Sequence, residues 1–263
     1  MNRFGTLVGT LAVALAAAAT AHAGVEDVKT PRGETVRLLV EQGANPTVTV
    51  VLFAGGPGIV DISESGRIGK LGGNFLLAAR NLFQEFGAVT AVIDAPTDRR
   101  NNLHGFRDSK DHADDVAQVI RHLRDRYKLP VWLIGTSRGT ESVASVGARL
   151  AGDRGPDGIV LTSSMMVQHP RYGSQVLAMD LEKVTVPTLI AHHHEDACEW
   201  TPPGKVAAMR AALKNARPVK VLWYEGGSGM KGDPCEPLHH HGFVGIRRTV
   251  VNDIMAWIKS PTP

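Results

Sequence analysis

The 263-residue sequence lacks the short motifs by which many proteins bind nucleotides or metals. It contains no G-x-x-x-x-G-K-[ST] and no G-x-G-x-x-G that opens a helix after a strand, so neither common phosphate-binding loop is present. It also lacks H-E-x-x-H and C-x-x-C, two patterns that are typical of metal sites. These absences favour a protein that works without a cofactor and without a metal ion.

Clusters of one charge are also missing. The net charge is +3, and the basic residues are scattered, with adjacent pairs at residues 99–100 and 247–248. Without basic runs interleaved with aromatic side chains, nothing indicates a nucleic-acid partner. The apolar run at residues 7–19 is shorter than the roughly 20 residues of a membrane-spanning helix, so we expect no membrane anchor.

The N-terminal run has instead the pattern of a secretory signal peptide. Arg3 supplies a positive charge, residues 7–19 are apolar, and Ala21-His22-Ala23 is an A-x-A cleavage site. We expect cleavage after Ala23, which leaves residues 24–263 as one domain in the periplasm or outside the cell. A buried N-terminal helix is the alternative interpretation.

The sequence has only two cysteines, Cys198 and Cys235. In a chain that is exported to an oxidising compartment, an even pair favours a disulfide. Two free thiols or two metal ligands are the alternatives.

Apolar runs alternate with helical periodicities along residues 24–263. The pattern predicts strands at residues 35–41, 47–54, 88–94, 131–134, 158–162, 188–193 and 219–225, and helices at residues 75–86, 111–127, 140–150, 206–213 and 243–259. This alternation is typical of an α/β domain whose mostly parallel sheet is flanked by helices. Between the strands at 158–162 and 188–193 there is room for a short helix around residues 175–181, but not for a separate lid domain.

The segment G-T-S-R-G at residues 135–139 lies between a predicted strand and a predicted helix. Although G-x-S-x-G also occurs by chance, this placement is typical of a nucleophile elbow, a sharp turn that exposes a serine hydroxyl above the sheet. The glycines are required because a Cβ beside the serine would clash with the strand or the helix. Ser137 is therefore the candidate nucleophile.

Three further segments make the sequence resemble serine hydrolases of the α/β-hydrolase fold. V-P-T-L-I-A-H-H-H-E-D at residues 186–196 is similar to the family segment V-P-x-L-x-x-H-G-x-x-D, and F-A-G-G-P-G at residues 53–58 resembles the H-G-G-P-G oxyanion loop. H-G-F at residues 241–243 is similar to the segment that carries the triad histidine in dienelactone-hydrolase-like and prolyl-oligopeptidase-like branches. The resemblance covers about residues 34–259. Ala54 departs from it where a histidine is usual, and His193 where a glycine is usual.

The resemblance implies the triad order serine, acid, histidine, with Asp196 as the acid and His241 as the base. It also implies an oxyanion hole formed by the backbone N–H groups of Gly56 and Arg138. The arginine side chain would either pair with a nearby carboxylate or meet an acidic substrate.

Each role has an alternative. Glu195 competes with Asp196 as the acid, and His240 is the second candidate for the base. Asp94, which follows an earlier strand, is interpreted as a loop or cap residue. Candidate pocket walls are Met165 and Trp200, with Met166 beside them, although packing explains these residues equally well.

The resemblance also makes the last two strands neighbours, so that a Cys198–Cys235 bridge would join the loops of the acid and the base. We expect such a bridge to hold the two catalytic side chains in register. Two triple-histidine runs, residues 192–194 and 239–241, fall on the same loops. Consecutive residues of an extended chain point in alternating directions, so each run offers few metal ligands, and we expect no functional metal.

Taken with the residues, the resemblance implies an exported serine hydrolase with little or no lid that cleaves carboxylic esters through an acyl-enzyme. An amidase or peptidase of the same fold is the nearest alternative, because the triad does not distinguish an ester from an amide. From a different class, the chain could be a non-catalytic or metal-binding protein on this fold. The expected partner is a small-molecule ester or amide.

Overall fold

Residues 22–171 and 174–263 are described by a computed structural model, and within them eight strands form one sheet. The strands are β1 (His22–Lys29), β2 (Thr35–Gln42), β3 (Val48–Phe53), β4 (Ala88–Ile93), β5 (Val131–Ser137), β6 (Gly158–Ser164), β7 (Thr188–His193) and β8 (Val219–Tyr224). Their order in the sheet is β1-β2-β4-β3-β5-β6-β7-β8. The pairs β1–β2 and β2–β4 are antiparallel, and all pairs from β4 to β8 are parallel.

Helices cover both faces of this sheet. They are α1 (Phe75–Ala78), α2 (Arg80–Glu85), α3 (Lys110–Tyr127), α4 (Gly139–Arg149), α5 (Val206–Ala212) and α6 (Arg247–Lys259). One apolar core lies between the sheet and α3, α4 and α5, and a second lies between the sheet and α1, α2 and α6. This arrangement confirms the predicted α/β architecture. It also explains why β3, β4, β6 and β7, which are buried at every position, contain short apolar runs rather than a regular alternation of apolar and polar residues.

Four parts of the chain differ from the sequence prediction. The strand β1 was not predicted, and the helix predicted at residues 75–86 is divided at Ala79 into α1 and α2. The helix predicted around residues 175–181 consists of two 3-10 turns, Val176–Ala178 and Leu181–Lys183. Both Val176 and Leu181 are buried, and residues five positions apart do not share one face of an α-helix. The last helix begins at Arg247 rather than residue 243, because Phe243 adopts a left-handed backbone conformation.

The predicted signal peptide falls mainly outside the described residues, which begin at His22. His22 and Ala23 belong to β1 and pair with Gln42 and Glu41. In the described part of the chain, no helix is both long and apolar enough to cross a membrane. The described residues between β6 and β7 form only the two 3-10 turns, so this connection carries no lid domain.

The turn between β5 and α4 is tight because two glycines approach the backbone of neighbouring elements. A Cβ on Gly139 would lie 2.1 Å from the carbonyl oxygen of Phe53 on β3, and a Cβ on Gly135 would lie 2.5 Å from that of Gly139. Between them, Ser137 has a φ of 52°, in the left-handed region that residues other than glycine seldom adopt. The strand β5, the strained Ser137 and the helix α4 therefore form the predicted nucleophile elbow.

We expect Gly139→Ala to destabilise the fold by about 3 kcal/mol, because neither the Cβ nor the β3 carbonyl has room to move. Gly147→Ala on the same helix is the matched control. Its Cβ would meet only side-chain atoms, the nearest at 3.3 Å, and alanine gains about 1 kcal/mol of helix propensity over glycine. Urea unfolding of the two variants measures the difference, and equal effects would contradict this account of the turn.

Candidate active site

The candidate residues lie where strands end. Ser137 is the last residue of β5, Asp196 follows β7, and His241 follows β8 in a 3-10 turn, His240–Gly242. The glycine-rich loop at residues 54–58 follows β3, which pairs with β5. Because these strands are parallel, their carboxyl ends meet at one edge of the sheet, where ligands of open α/β sheets bind.

Asp196 and His241 are hydrogen-bonded to each other. The distance from His241 Nδ1 to Asp196 Oδ2 is 3.0 Å, and the two residues are 5 % and 4 % exposed. A carboxylate only accepts hydrogen bonds, so Nδ1 carries the proton and Nε2 is left with a free lone pair. That tautomer is the one a general base requires.

Two further contacts fix the carboxylate. Thr201 donates its hydroxyl to Asp196 Oδ2 at 2.9 Å, and its oxygen lies 3.1 Å from His241 Nδ1. The backbone N–H of Cys198 donates to Asp196 Oδ1 at 3.1 Å. Burial raises the pKa of Asp196, but the hydrogen bond and charge of His241, together with His192 and the Cys198 N–H, outweigh it and hold the pKa below its usual value. The acid is therefore ionised at neutral pH.

The backbone that carries His241 is held from two sides. Ser163, at the end of β6, donates its hydroxyl to the carbonyl oxygen of His241 at 2.9 Å. Arg247 donates to the carbonyl oxygens of Gly242 at 2.9 Å and Pro237 at 2.6 Å. Sequence reasoning missed both residues, and it also missed Thr201. A polar residue at a strand end is the only signal that could have indicated Ser163.

Ser137 and His241 line the same cavity, which has a volume of about 350 Å³. Five of the residues that line it are glycines, at positions 55, 56, 72, 73 and 242, which have no side chain to fill the space. The other lining residues are Pro57, Leu71, Asn74, Phe75, Thr136, Cys235, Glu236 and Pro237. The cavity therefore brings a serine and a histidine together beside the predicted oxyanion loop.

Of the two predicted oxyanion donors, one belongs to the glycine-rich loop and the other to the residue after Ser137. Gly56 lies in the cavity wall, and Arg138 directly follows the serine at the start of α4. The Arg138 side chain is buried and forms an ion pair with Glu141 at 3.3 Å. The guanidinium therefore pairs with a carboxylate of the protein itself. This is the first of the two partners expected for Arg138, the other being an acidic substrate.

The predicted pocket walls Met165 and Trp200 are not among the residues that line this cavity. Met165 is buried, and its backbone bonds to Thr140 Oγ1 at 3.1 Å and to Val176 at 2.8 Å. The Trp200 ring lies 4.4 Å from the ring of His169. Trp200 therefore packs against the connection between β6 and β7, to which His169 belongs.

The competing residues have other partners. Glu195 is exposed, its backbone N–H donates to His193 Nδ1, and its carbonyl oxygen accepts from His240 Nδ1. Its carboxylate lies 4.0 Å from His240 Nε2. The His240 ring stacks on the His193 ring at 4.3 Å. The Asp94 carboxylate accepts three backbone N–H groups, which makes it a loop anchor.

The predicted disulfide is present. Cys198, two residues after Asp196, is bonded to Cys235, which lies in the loop after β8 and in the cavity wall. Since β7 and β8 are neighbours in the sheet, the bond joins the loop of the carboxylate to the loop of the histidine.

One group of side chains among the described residues has the spacing of metal ligands. Ligand atoms of His193, Glu195 and His240 lie within 4.8 Å of one another. However, His193 uses both ring nitrogens within the protein: Nε2 donates to the carbonyl oxygen of Gly226 at 2.9 Å, and Nδ1 accepts the Glu195 N–H at 3.0 Å. Because both ring nitrogens of His193 are already hydrogen-bonded, the group connects loops of the protein and does not offer three unoccupied ligand atoms.

No family model and no curated protein sequence matches the chain. Solved structures do match it. A lidless α/β serine hydrolase from Xanthomonas campestris is 14% identical, with 92% of this chain and 97% of that chain covered and a TM-score of 0.54. The esterase domain of a Rhodothermus marinus protein is 12% identical, with coverages of 90% and 98% and a TM-score of 0.58. An esterase from Pyrococcus furiosus is 10% identical, with 91% of each chain covered and a TM-score of 0.66.

The chain has the α/β-hydrolase fold. The match extends over at least 90% of this chain for each neighbour, and the Xanthomonas campestris protein, like the connection after β6 here, has no lid. At identities this low, structural similarity establishes only the fold. An activity has to be argued from the chemistry of the site. Within this fold, Ser137 ends β5, whereas Asp196 and His241 lie in the loops that follow β7 and β8.

His192, which lies beside Asp196, should make the free energy of unfolding depend on pH. It is fully buried, it lies 3.7 Å from Asp196, and its Nε2 donates to the carbonyl oxygen of Thr201 at 3.0 Å. Burial lowers the pKa of His192 to about 4, whereas an unfolded histidine titrates near 6.5. The stabilisation is complete above pH 6.5 and is lost as the pH falls toward 4, because the unfolded chain binds the proton first.

We expect His192 to account for a loss of about 2 kcal/mol in the free energy of unfolding between pH 7 and pH 5. His192→Gln keeps a donor for Thr201 but does not titrate, so its stability should fall less steeply over this range. His194→Gln, on an exposed side chain of the same run, is the control and should keep the wild-type slope. Urea unfolding at several pH values measures the slopes, and equal slopes for all three proteins would refute the assignment.

Proposed function

We propose that this protein is an exported serine hydrolase that cleaves carboxylic esters through an acyl-enzyme. Ser137 is the nucleophile, His241 the general base and acid, and Asp196 the group that orients the histidine. The backbone N–H groups of Gly56 and Arg138 form the oxyanion hole. The observation that carries the proposal is the buried Asp196–His241 hydrogen bond beside a cavity that Ser137 also lines.

The first half of the reaction forms the acyl-enzyme. His241 Nε2 takes the proton of the Ser137 hydroxyl as the oxygen attacks the ester carbonyl carbon. The resulting oxyanion accepts hydrogen bonds from the two backbone N–H groups, and the charge of Asp196 stabilises the imidazolium. When the intermediate collapses, the C–O bond to the alcohol breaks and His241 returns the proton to the leaving oxygen. A water molecule then attacks the acyl-enzyme through the same steps, and the carboxylic acid product is released.

The lining of the cavity supports an uncharged or cationic substrate. Among the described residues of the lining, the only carboxylate is that of Glu236, and there is no lysine or arginine. An anionic acyl group would therefore face a like charge without a counter-ion. Esters and amides that share an uncharged acyl group are the appropriate pair for determining which bond is cleaved.

Export is supported by two features. The Cys198–Cys235 bond is of the kind that persists in oxidising compartments, and residues 1–23 have the pattern of a signal peptide. Mass determination of the N-terminus of the mature protein tests this part of the proposal. A chain that retains residues 1–23 would exclude cleavage after Ala23.

A fluorophosphonate probe tests the nucleophile. We expect wild-type protein to form one covalent adduct, located on Ser137 by peptide mass spectrometry, because only a serine activated by a base attacks phosphorus at neutral pH. Ser137→Ala should not be labelled, and Ser163→Ala, at the neighbouring strand end, should still be labelled. Folded wild-type protein that is not labelled would exclude the serine-hydrolase proposal.

The same assay separates the two candidate acids. Asp196→Asn should slow labelling by about 10⁴-fold, since an amide no longer selects the productive tautomer of His241. Glu195→Gln is the matched control, because it alters the adjacent, exposed carboxyl in the same way, and it should leave the rate within about twofold. The reverse order of effects would assign the acid to Glu195.

Removal of the disulfide tests whether the loops that carry Asp196 and His241 require a covalent link. We expect Cys198→Ser/Cys235→Ser to lose about 4 kcal/mol of unfolding free energy by the chain-entropy estimate for a 37-residue separation. At temperatures where the variant stays folded, its labelling rate should also fall, because Asp196 and His241 are less well aligned. Reduction of wild-type protein should have the same effect. Unchanged kinetics in the folded variant would show that the bridge serves stability alone.

A further inference from the structure

Arg107 is a buried cation that none of the steps above uses. It lies just before α3, is 1 % exposed, and is the largest of the fully buried side chains. Its Nη2 donates to the carbonyl oxygen of Ala54 at 3.0 Å and lies 3.4 Å from that of Gly56. Its Nη1 donates to the hydroxyl of Ser142 on α4 at 2.9 Å.

These contacts bracket one peptide unit of the glycine-rich loop. The carbonyl oxygens of Ala54 and Gly56 belong to the peptide units before and after the one that ends in the Gly56 N–H. Peptide units are planar, so fixing both neighbours leaves the middle unit little freedom to rotate. That middle unit is next to the elbow, since a Cβ on Gly55 would lie 2.9 Å from the Cβ of Ser137.

The third contact of the guanidinium reaches the other half of the oxyanion hole. Ser142 is on α4, the helix that begins after Ser137 and Arg138. Arg107 therefore connects the loop of one N–H donor to the helix of the other. A planar group with several donors suits this role, and the single ammonium of a lysine could not reach both the loop carbonyls and α4.

The electrostatic setting of this side chain is costly. Burial lowers the pKa of Arg107 to about 10, with Arg138 adding to the effect and Glu141 opposing it. The group remains a cation at neutral pH, yet the hydrogen-bond acceptors of its terminal nitrogens are carbonyls and a hydroxyl rather than a carboxylate. A buried charge is destabilising unless its surroundings compensate it, so a neutral residue would have been the less costly way to fill this space.

We propose that Arg107 is a positioning residue for the oxyanion hole: it fixes residues 54–56 against α4 so that the Gly56 N–H is aimed at the oxygen that becomes negative on attack by Ser137. The inference rests on the proposed hydrolase function. Arg107 itself does not touch the substrate and acts through the backbone that it holds.

Arg107→Lys tests the proposal, with p-nitrophenyl acetate as substrate and the fluorophosphonate as a second probe. Lysine keeps the positive charge but lacks the two terminal nitrogens with which the guanidinium contacts the loop and α4 at the same time. We expect kcat and the labelling rate to fall at least about tenfold, toward the hundredfold that loss of an oxyanion donor costs, with KM within about threefold. A purely structural role would instead lower the midpoint of thermal unfolding and leave kcat per folded molecule unchanged.

Arg124→Lys is the matched control. Arg124 also fastens a loop through two backbone carbonyl oxygens, those of Asp153 at 2.8 Å and Gly155 at 3.0 Å, but this loop lies between α4 and β6 and not beside Ser137. Its replacement should reduce stability without changing kcat. Equal reductions of kcat in the two variants would overturn the proposal.

A second pair of variants serves if Arg107→Lys does not fold. A Cβ on Gly58 would lie 2.4 Å from Arg107 Nη2, whereas a Cβ on Gly105 would have no neighbour within 4 Å. Both glycines have positive φ, at 81° and 66°, so both alanine variants carry a similar backbone strain. We expect only Gly58→Ala to reduce kcat at least about tenfold, because only it displaces the guanidinium. Equal kcat values for the two variants would reject the proposal.

The outcomes separate the two proposals. Wild-type protein that is not labelled at Ser137 rejects the hydrolase function. Wild-type protein that is labelled, together with an Arg107→Lys protein that is folded and labelled at the same rate, rejects the positioning role and leaves the hydrolase function standing.

Discussion

The hydrogen bond between Asp196 and His241 is the interaction on which the rest of the site depends. It crosses between the loops after β7 and β8, so it forms only if these strands are neighbours and in register. Around it, a disulfide, a threonine hydroxyl and a serine hydroxyl fix the same two segments. The bond also sets the protonation pattern, because an ionised acceptor at Nδ1 leaves Nε2 as the basic nitrogen of His241.

The other half of the site is held by backbone geometry. The elbow brings Ser137 close to β3 through two glycines, and the glycine-rich loop approaches the serine without side chains at residues 55 and 56. In the proposed mechanism the donors of the oxyanion hole are backbone N–H groups that are fixed before the substrate binds, and such preorganisation is what makes an oxyanion hole effective. Arg107 belongs to this half, since all its contacts are with the loop and with α4.

Local sequence patterns predicted the strands β2 to β8, because each is an apolar run between breakers. They also singled out Ser137, Asp196 and His241, because each lies in a short motif, and the catalytic roles of these three residues remain predictions. β1 was missed because it is an edge strand, specified by its pairing with β2 rather than by a strong apolar run. Thr201, Ser163 and Arg107 were not identified, because the fold brings each of them to a partner that is 40 or more residues away in the sequence.

The wall of the cavity has a consequence for how such a site could change during evolution. Glycines are five of the fifteen residues that line the cavity, and Leu71 and Asn74 come from the connection between β3 and β4. The three proposed catalytic residues lie elsewhere, at the end of β5 and after β7 and β8. Substitutions at Leu71 or Asn74 would therefore alter which acyl group fits without changing the segments that carry Ser137, Asp196 and His241, so that selectivity and reactivity can change independently.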